Sequence, residues 1–265
     1  MLYIVGTPIG NLKDISLRAL EVLGSVDEIA CEDTRHSLAL LNAHGIKKPL
    51  VAYHKFNEVE SGEKLVQKLK QGLNIALISD AGMPVISDPG QILVNMLANE
   101  GLPFTVVPGA CAFVSALVLS GMDSTRFAFM GFLPQKNSER KEFLERYKDL
   151  DLTLIFYSAP HDIAKDVADV YKVFGNRTAV AVKEITKLHE RIEKFNLADG
   201  LPSGPKGEYV LIVDKGEKKV PFAELSNQQL IKKYISDGLD KKEALKKVAK
   251  ERGVAKSELY KFTID

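Results

Sequence analysis

The residues best suited to chemistry in this sequence are crowded into one short segment, residues 79–90, which reads SDAGMPVISDPG. Two aspartates, two glycines and two prolines fall there within eleven residues, more than a simple strand-to-helix connection needs. An apolar run at residues 75–78 precedes them and is typical of a buried strand. Ligands of open α/β sheets bind beyond the carboxyl ends of the strands, so the segment predicts a ligand-binding loop. The alternative is an ordinary Asx-Gly turn into a helix that begins near Asp88.

A second loop of this kind lies near the start of the chain. Residues 6–11, GTPIGN, follow a short apolar strand predicted at residues 2–5. Their spacing fits neither the dinucleotide motif GxGxxG nor the phosphate motif GxxxxGK[ST], and Pro8 removes a backbone donor from the turn. The sequence therefore disfavours a nucleoside triphosphate or a dinucleotide. It favours a ligand without a pyrophosphate, held by shape and by backbone contacts.

Alternating strands and helices must position these loops. The predicted strands are 2–5, 28–31, 50–53, 74–79 and 103–107, and the predicted helices are 15–24, 35–43, 59–71, 88–100 and 111–121. This alternation is typical of a parallel sheet covered on both faces, so the fold class is α/β. After an apolar stretch at 127–134 and a basic stretch at 136–146, further strands are predicted at 152–157, 178–182 and 208–213. We therefore predict α/β domains at 1–122 and 123–215, followed by a polar linker at 216–221.

The C-terminal part of the chain, predicted as a small helical domain at residues 222–265, differs in charge from the rest. Residues 226–265 carry ten basic and six acidic side chains, whereas residues 1–225 have a net charge of −3. Apolar spacing predicts two or three short helices there, separated by Gly238 and Gly253 in a helix-turn-helix-like arrangement. A basic charge confined to one small module indicates either a solvated surface or a nucleic-acid-binding element.

Composition places the chain in a broad class. It has 265 residues, of which 45% are apolar and 27% charged, which is typical of a soluble globular protein. No stretch reaches the length of a transmembrane helix, and because a strand is predicted from the second residue we expect no signal peptide. The two cysteines, Cys31 and Cys111, lack the spacing of a metal site or a disulfide framework. We expect a cytoplasmic protein without a metal.

Eight motifs together resemble the tetrapyrrole methylase superfamily, and more narrowly its branch of small-subunit ribosomal RNA (cytidine-2′-O)-methyltransferases. The motifs keep their order over the whole chain, at residues 6–11, 32–35, 79–90, 108–112, 131–134, 156–161, 183–190 and 207–210. The sequence departs from the usual pattern at Ser158, Asp162 and Lys183, where the family has Glu, Arg and Arg.

The resemblance implies two α/β domains with S-adenosylmethionine bound between them, a homodimer, and ribosomal RNA or the small ribosomal subunit as partner. This cofactor carries a sulfonium cation and an adenosine but no phosphate, which agrees with the loop chemistry above. By family position, thirteen residues would contact the cofactor: Pro8, Asp80, Ala81, Gly82, Ile86, Cys111, Ala112, Phe156, Tyr157, Ser158, Val182, Glu208 and Tyr209.

The reaction implied by the resemblance is methyl transfer to the ribose 2′-oxygen of a cytidine. Because that hydroxyl is a weak nucleophile, a general base within hydrogen-bond reach would help. The candidates are Asp80, Glu184 and Glu208, with His161 and His189 behind them. Each carboxylate also has a structural interpretation, Asp80 as a capping residue and the two glutamates as partners in ion pairs at strand ends.

Two other classes of function stay open at this point. The chain could methylate a tetrapyrrole or another small metabolite, although such a substrate gives no reason for a basic C-terminal module. It could also be a non-catalytic RNA-binding assembly factor, although such a factor would not need the two ligand-binding loops.

Overall fold

The computed structural model describes residues 1–216 and 225–263. The chain divides into two compact units, residues 1–216 and residues 217–265. Within the described ranges, no helix combines the length and apolar character needed to cross a membrane.

The first sheet of the larger unit is built from the strands predicted in the first half. Its five strands are all parallel and lie in the order β3-β2-β4-β1-β5. They are β1 (Leu2–Val5), β2 (Glu28–Cys31), β3 (Leu50–Ala52), β4 (Ile75–Ile78) and β5 (Phe104–Val107). Because the strands are parallel, the loops at 6–11 and 79–90 emerge from the same edge, as predicted.

Helices cover both faces of this sheet. They are α1 (Leu17–Ser25), α2 (Thr34–Ala43), α3 (Glu58–Lys70) and α4 (Gln91–Asn99). A fifth helix of the first half, α5 (Ala112–Ser120), follows β5. Leu65 of α3 and Leu93 of α4 are buried against one face, while Leu23 of α1 and Leu41 of α2 are buried against the other. α4 begins at Gln91 rather than near Asp88, because Gly90 has a φ of 138° and ends the preceding loop.

The second sheet has mixed strand directions. Its order is β6-β7-β10-β8-β9, in which β6 and β7 are parallel and the other pairs are antiparallel. The strands are β6 (Phe127–Phe132), β7 (Thr153–Ser158), β8 (Thr178–Lys183), β9 (Arg191–Asn196) and β10 (Tyr209–Val213). β9 was not predicted: it is an edge strand in which only Phe195 is buried, so it lacks the apolar alternation by which a strand is recognised.

One helix of the first half packs against the second sheet. α6 (Asn137–Tyr147) and α7 (Ile163–Phe174) cover one face of that sheet. On the other face, Ala116 and Leu117 of α5 share a core with Ile155, Val180 and Val210. Ile9, in the loop after β1, belongs to the same core, which therefore joins the second sheet to the first half of the chain. The two sheets fall on either side of residue 122, and the division into domains 1–122 and 123–215 stays a prediction.

The smaller unit is helical. Its described part contains α8 (Asn227–Ser236), α9 (Lys241–Arg252) and the short α10 (Lys256–Leu259) around a core that includes Leu230, Leu245 and Leu259. Ser226 and Asp240 cap α8 and α9 with reciprocal side-chain and backbone hydrogen bonds. Residues 217–224, which hold most of the predicted linker and the predicted start of this domain, lie outside the described residues.

Candidate functional site

A cavity of about 290 Å³ lies between the carboxyl edge of the first sheet and the second sheet. Its walls come from the loop at 79–90, from the start of α5, and from the ends of β7, β8 and β10. Ten of the thirteen predicted cofactor residues line it: Ala81, Gly82, Ile86, Cys111, Ala112, Tyr157, Ser158, Val182, Glu208 and Tyr209. The ten residues that the cavity brings together are up to 128 positions apart in sequence, from Ala81 to Tyr209.

Three predicted cofactor residues do not line the cavity. Pro8 is buried in its loop, and the Phe156 side chain, 1% exposed, packs into the core on the opposite face of β7. The Asp80 carboxylate accepts a hydrogen bond from the Asp33 backbone N–H at 3.1 Å. This hydrogen bond ties the loop after β4 to the loop after β2.

The loops that form the floor of the cavity touch through glycines. A Cβ added to Gly6 would lie 2.7 Å from the backbone of Gly109, and one added to Gly109 would lie 2.8 Å from Gly6. Thr7 and Gly82 exchange two backbone hydrogen bonds, N–H of Thr7 to O of Gly82 at 2.8 Å and the reverse at 3.2 Å. The loops after β1, β4 and β5 therefore pack at backbone contact distance, which a side chain would prevent.

Strained backbone flanks the cavity. The non-glycine residues with positive φ in the described ranges are Val85 at 77°, Ser87 at 65°, Glu184 at 49° and Thr186 at 65°. A positive φ is unfavourable for a side chain with a Cβ, above all for β-branched valine, and such residues concentrate at functional sites. Two of the four lie in the loop after β4 and two in the loop after β8, one from each side of the cavity.

Asp88 is the carboxylate of the cavity whose environment differs most from water. Burial, with a smaller contribution from the negative charge of Asp80, raises the pKa of Asp88 to about 6, although the Ser79 hydroxyl opposes the shift. The same causes raise the pKa of Glu32, where burial is again the largest and Asp80 and Asp88 follow. Asp88 was not among the predicted site residues, although it lies in the segment that the sequence singled out.

We expect Asp88→Asn to stabilise the protein near neutral pH. The folded-state pKa lies above the ordinary value of 3.8, so the stability linked to this group is complete below pH 4 and is lost as the pH rises through 6. The asparagine variant avoids that loss. At pH 7.5 its free energy of unfolding should exceed that of wild type by about 1–2 kcal/mol. This is less than the free energy that corresponds to the whole pKa shift, because solvent screens the partly exposed group. Urea unfolding of both proteins between pH 4 and 8 measures the difference, and a constant difference across that range would contradict the expectation.

Glu184 and Glu208 are linked by Lys187. The Lys187 Nζ donates to Glu184 Oε1 at 3.1 Å and to Glu208 Oε2 at 2.8 Å. The backbone N–H of Glu208 also donates to Glu184, and this bond, helped by Lys187, lowers the pKa of Glu184. Glu208 lines the cavity with a side chain that is 76% exposed, whereas Glu184 does not line it. The two reserve candidates, His161 and His189, are exposed and lie outside the cavity lining.

A buried polar network behind the cavity was also missed. The Ser158 hydroxyl, in the cavity wall, donates to the Asp166 carboxylate, which pairs with Arg140 Nη1 at 2.5 Å. Arg140 is 2% exposed and also donates from Nε to the Pro134 carbonyl at 2.9 Å. These residues come from β7, α7 and α6, and no short motif contains them.

One of the two cysteines lies in the cavity lining. Within residues 1–216 and 225–263, no group of three or more His, Cys, Asp or Glu side chains is arranged to hold a metal ion. Both cysteines are free; Cys31 is buried, and Cys111 lines the cavity. Burial is the largest cause that raises the pKa of the Cys31 thiol, which makes it a poor nucleophile at neutral pH.

Comparisons with known proteins agree with this arrangement. Residues 1–199 match the family model of the Tetrapyrrole (Corrin/Porphyrin) Methylases. The curated Ribosomal RNA small subunit methyltransferase I of Haemophilus influenzae is 48% identical over 270 residues, covering 99% of this chain and 95% of that protein. The protein of the same name from Halalkalibacterium halodurans is 42% identical over 268 residues, covering 98% and 93%.

Solved structures share the fold. A uroporphyrin-III-C-methyltransferase from Thermus thermophilus superposes with a TM-score of 0.55 at 23% identity, covering 81% of this chain and 94% of that one. A diphthine synthase superposes with a TM-score of 0.63 at 14% identity, covering 80% and 89%. Identities this low support the architecture alone.

Proposed function

Because this chain belongs to the tetrapyrrole methylases, we propose that its cavity binds S-adenosylmethionine and that the protein methylates small-subunit ribosomal RNA. The observation that carries the proposal is the 42–48% identity, over almost the whole chain, to two proteins named Ribosomal RNA small subunit methyltransferase I. The finer assignment, to the ribose 2′-oxygen of a cytidine, rests on the motifs set out above.

The residues of the cavity fit the proposed cofactor. Its apolar wall includes Ile9, Val182 and Ile185, which suit the adenine and the carbon chain, and its carboxylate, Asp88, suits the sulfonium cation. The glycine contacts below it hold the loops after β1 and β5 together at backbone contact distance. When bound, S-adenosylmethionine supplies a methyl group that is already activated for transfer.

The residues of this chain would then act mainly by positioning. Strained loops on both sides fix the walls, and alignment of the reacting groups can contribute roughly 7–11 kcal/mol. Among the three candidate bases we favour Glu208, because it lines the cavity and its exposed carboxylate can reach a large substrate. The Asp80 carboxylate already accepts a hydrogen bond from the Asp33 N–H, and the Glu184 carboxylate accepts one from the Glu208 N–H, whereas Lys187 pairs with both glutamates. Lys187 would hold Glu208 in place through their ion pair.

The test is methyl transfer from labelled S-adenosylmethionine to undermethylated small ribosomal subunits, to naked ribosomal RNA and to a tetrapyrrole. We expect label in the RNA of at least one of the first two substrates, and nuclease digestion should place it on a ribose. Label in the tetrapyrrole alone would assign the chain to a small-molecule substrate. No transfer to any substrate, by a folded protein that binds the cofactor, would overturn the proposal.

We also propose that the protein is a homodimer and that it acts in the cytoplasm, where reduced cysteines such as Cys31 and Cys111 are usual. β5 is an edge strand that exposes Phe104 and Val106, and α5 exposes Val114 and Val118 one turn apart. Exposed edge strands and contiguous apolar surface are typical of protein interfaces.

Sedimentation velocity should therefore give about twice the chain mass of 29.2 kDa. Val118→Glu, at a side chain 74% exposed, should shift the protein toward monomer because a charge would be buried at the interface. The matched control is Val59→Glu on α3, also exposed, which should sediment like wild type. A monomeric wild-type protein would contradict the proposal.

A further inference from the structure

The most exposed large apolar side chain in the described residues is Phe56, with 94% of its surface accessible. It lies in the loop between β3 and α3, and the loop holds it there through ordered hydrogen bonds. The Asn57 side chain accepts from the His54 N–H at 2.8 Å and donates to the Ala52 carbonyl at 3.1 Å. The His54 ring contacts the Phe56 ring edge-on, with centroids 6.2 Å apart. The turn therefore presents the aromatic face to solvent as part of its structure.

This loop lies on the same edge of the sheet as the cavity. β3, β2 and β4 are neighbours, so the loop after β3 lies two strand spacings, ~10 Å, from the loop after β4. Hydrogen bonds connect the two directly. Glu58 Oε1, just after Phe56, accepts from the Gly90 N–H at 2.8 Å and from the Tyr53 hydroxyl at 3.3 Å. Phe56 is thus fixed relative to the cavity loop that contains Asp88.

Two basic side chains are exposed near the Phe56 loop. Lys55 is exposed beside Phe56. Arg35 lies in the first turn of α2, which follows β2, the strand next to β3, and its side chain is 90% exposed. Arg35 pairs with Asp33 at 2.9 Å, but an exposed pair of this kind contributes little to stability, so the guanidinium can exchange Asp33 for another anion. Glu58, the acid nearest to Phe56 in sequence, already accepts hydrogen bonds from the Gly90 N–H and the Tyr53 hydroxyl.

We infer that Arg35, Lys55 and Phe56, here called the rim patch, bind single-stranded RNA next to the nucleotide that enters the cavity. Phe56 stacks on one base, and the two cations contact the phosphates on either side of it. Single-stranded RNA is recognised through this combination, because every base offers a face for stacking and every linkage carries a charge. The inference rests on the proposed function and adds to it a substrate contact on the larger unit.

The test is Phe56→Ala, assayed for methyl transfer to undermethylated small ribosomal subunits. Loss of one base–aromatic stack should raise the KM for RNA by roughly 5- to 140-fold, which corresponds to about 1–3 kcal/mol. The affinity for S-adenosylmethionine should stay equal to that of wild type, because Phe56 does not line the cavity. Phe56→Tyr should restore the KM, since it keeps the ring. Arg35→Gln and Lys55→Gln should each reduce the slope of log affinity for RNA against log salt concentration by about the amount that one phosphate contact contributes.

The matched control is Tyr171→Ala, an exposed aromatic on α7, which should leave the KM unchanged. If Phe56→Ala keeps the wild-type KM while wild type methylates the subunits, the rim patch does not bind RNA and the proposed function still stands. If wild type itself transfers no methyl group to RNA, the proposed function fails, and this inference fails with it. Because Phe56 is almost fully exposed, the alanine variant should fold, and equal cofactor affinity verifies this.

Discussion

Gly109→Ala should abolish tight binding of S-adenosylmethionine and destabilise the protein. The new Cβ would lie 2.8 Å from three backbone atoms of Gly6, and backbone atoms cannot rotate out of the way. The loops after β1 and β5 must therefore move apart, and overpacking of this kind costs about 1–3 kcal/mol of unfolding free energy. Because the same loops form the cavity floor, moving them apart should also weaken the affinity for S-adenosylmethionine. Urea unfolding and titration calorimetry measure the two effects.

Gly24→Ala is the matched control. Gly24 lies inside α1, is exposed, and has nothing within 4 Å of the position of the new Cβ. Alanine should stabilise the helix there by up to ~1 kcal/mol without any effect on cofactor binding. A Gly109→Ala protein with the stability and cofactor affinity of wild type would show that the loops do not need their close contact.

Replacement of Lys242, Lys246 and Lys250 by glutamate should remove most of the RNA affinity. The three lysines are exposed and spaced four residues apart on α9, so they lie along one side of the helix. If each contacts a phosphate, RNA affinity should fall by about 100-fold, at ~1 kcal/mol per contact, and the logarithmic salt slope by about 2 to 3. Lys247 is left unchanged because its Nζ packs 4.3 Å from the centre of the Tyr234 ring.

The control for that variant replaces the same three lysines by arginine, which keeps the charges and should keep the affinity. Binding of S-adenosylmethionine should be normal in both variants. Should the glutamate variant bind RNA with the wild-type affinity and salt slope, α9 would not be the RNA-binding element. The basic stretch at 136–146 is a weaker second candidate, because Lys136 and Arg146 pair with Glu139 and Glu142, and Arg140 is buried.

The α/β class was predictable from the sequence because its signals are local. In the first half, alternating apolar runs and helical spacing gave every strand to within a residue of its observed ends. In the second half, β9 escaped prediction because an edge strand with one buried side chain carries no periodic signal. The direction of the strands there was also not predictable, since pairing such as Leu211 with Phe156 joins residues far apart in sequence.

The sequence predicted which loops form the site, but it predicted the positions of individual side chains less well. Ten of thirteen expected residues line the cavity, since the motifs follow the strands that carry them. Asp80 accepts a hydrogen bond from a neighbouring loop, while Asp88, which was not among the expected residues, lines the cavity. The positive φ angles of Val85 and Ser87 turn the chain between the two aspartates, and nothing in valine or serine as residue types announces such a turn. The pairing of Ser158 with Asp166 likewise depends on how α7 packs on β7.

The position of α5 limits how this protein could exchange parts with its relatives. The helix belongs to the first half by sequence, but Ala116 and Leu117 complete a core whose strand residues all come from β7, β8 and β10, with Ile9 and Ile185 added from two loops. A chimera joined at residue 122 would set one parent's helix against the other parent's sheet, and every mismatch of volume would fall directly beneath the cavity. Recombination should be better tolerated after residue 213, beyond the last strand of the second sheet, where the core that α5 completes is left whole. The larger unit would then be exchanged as one piece.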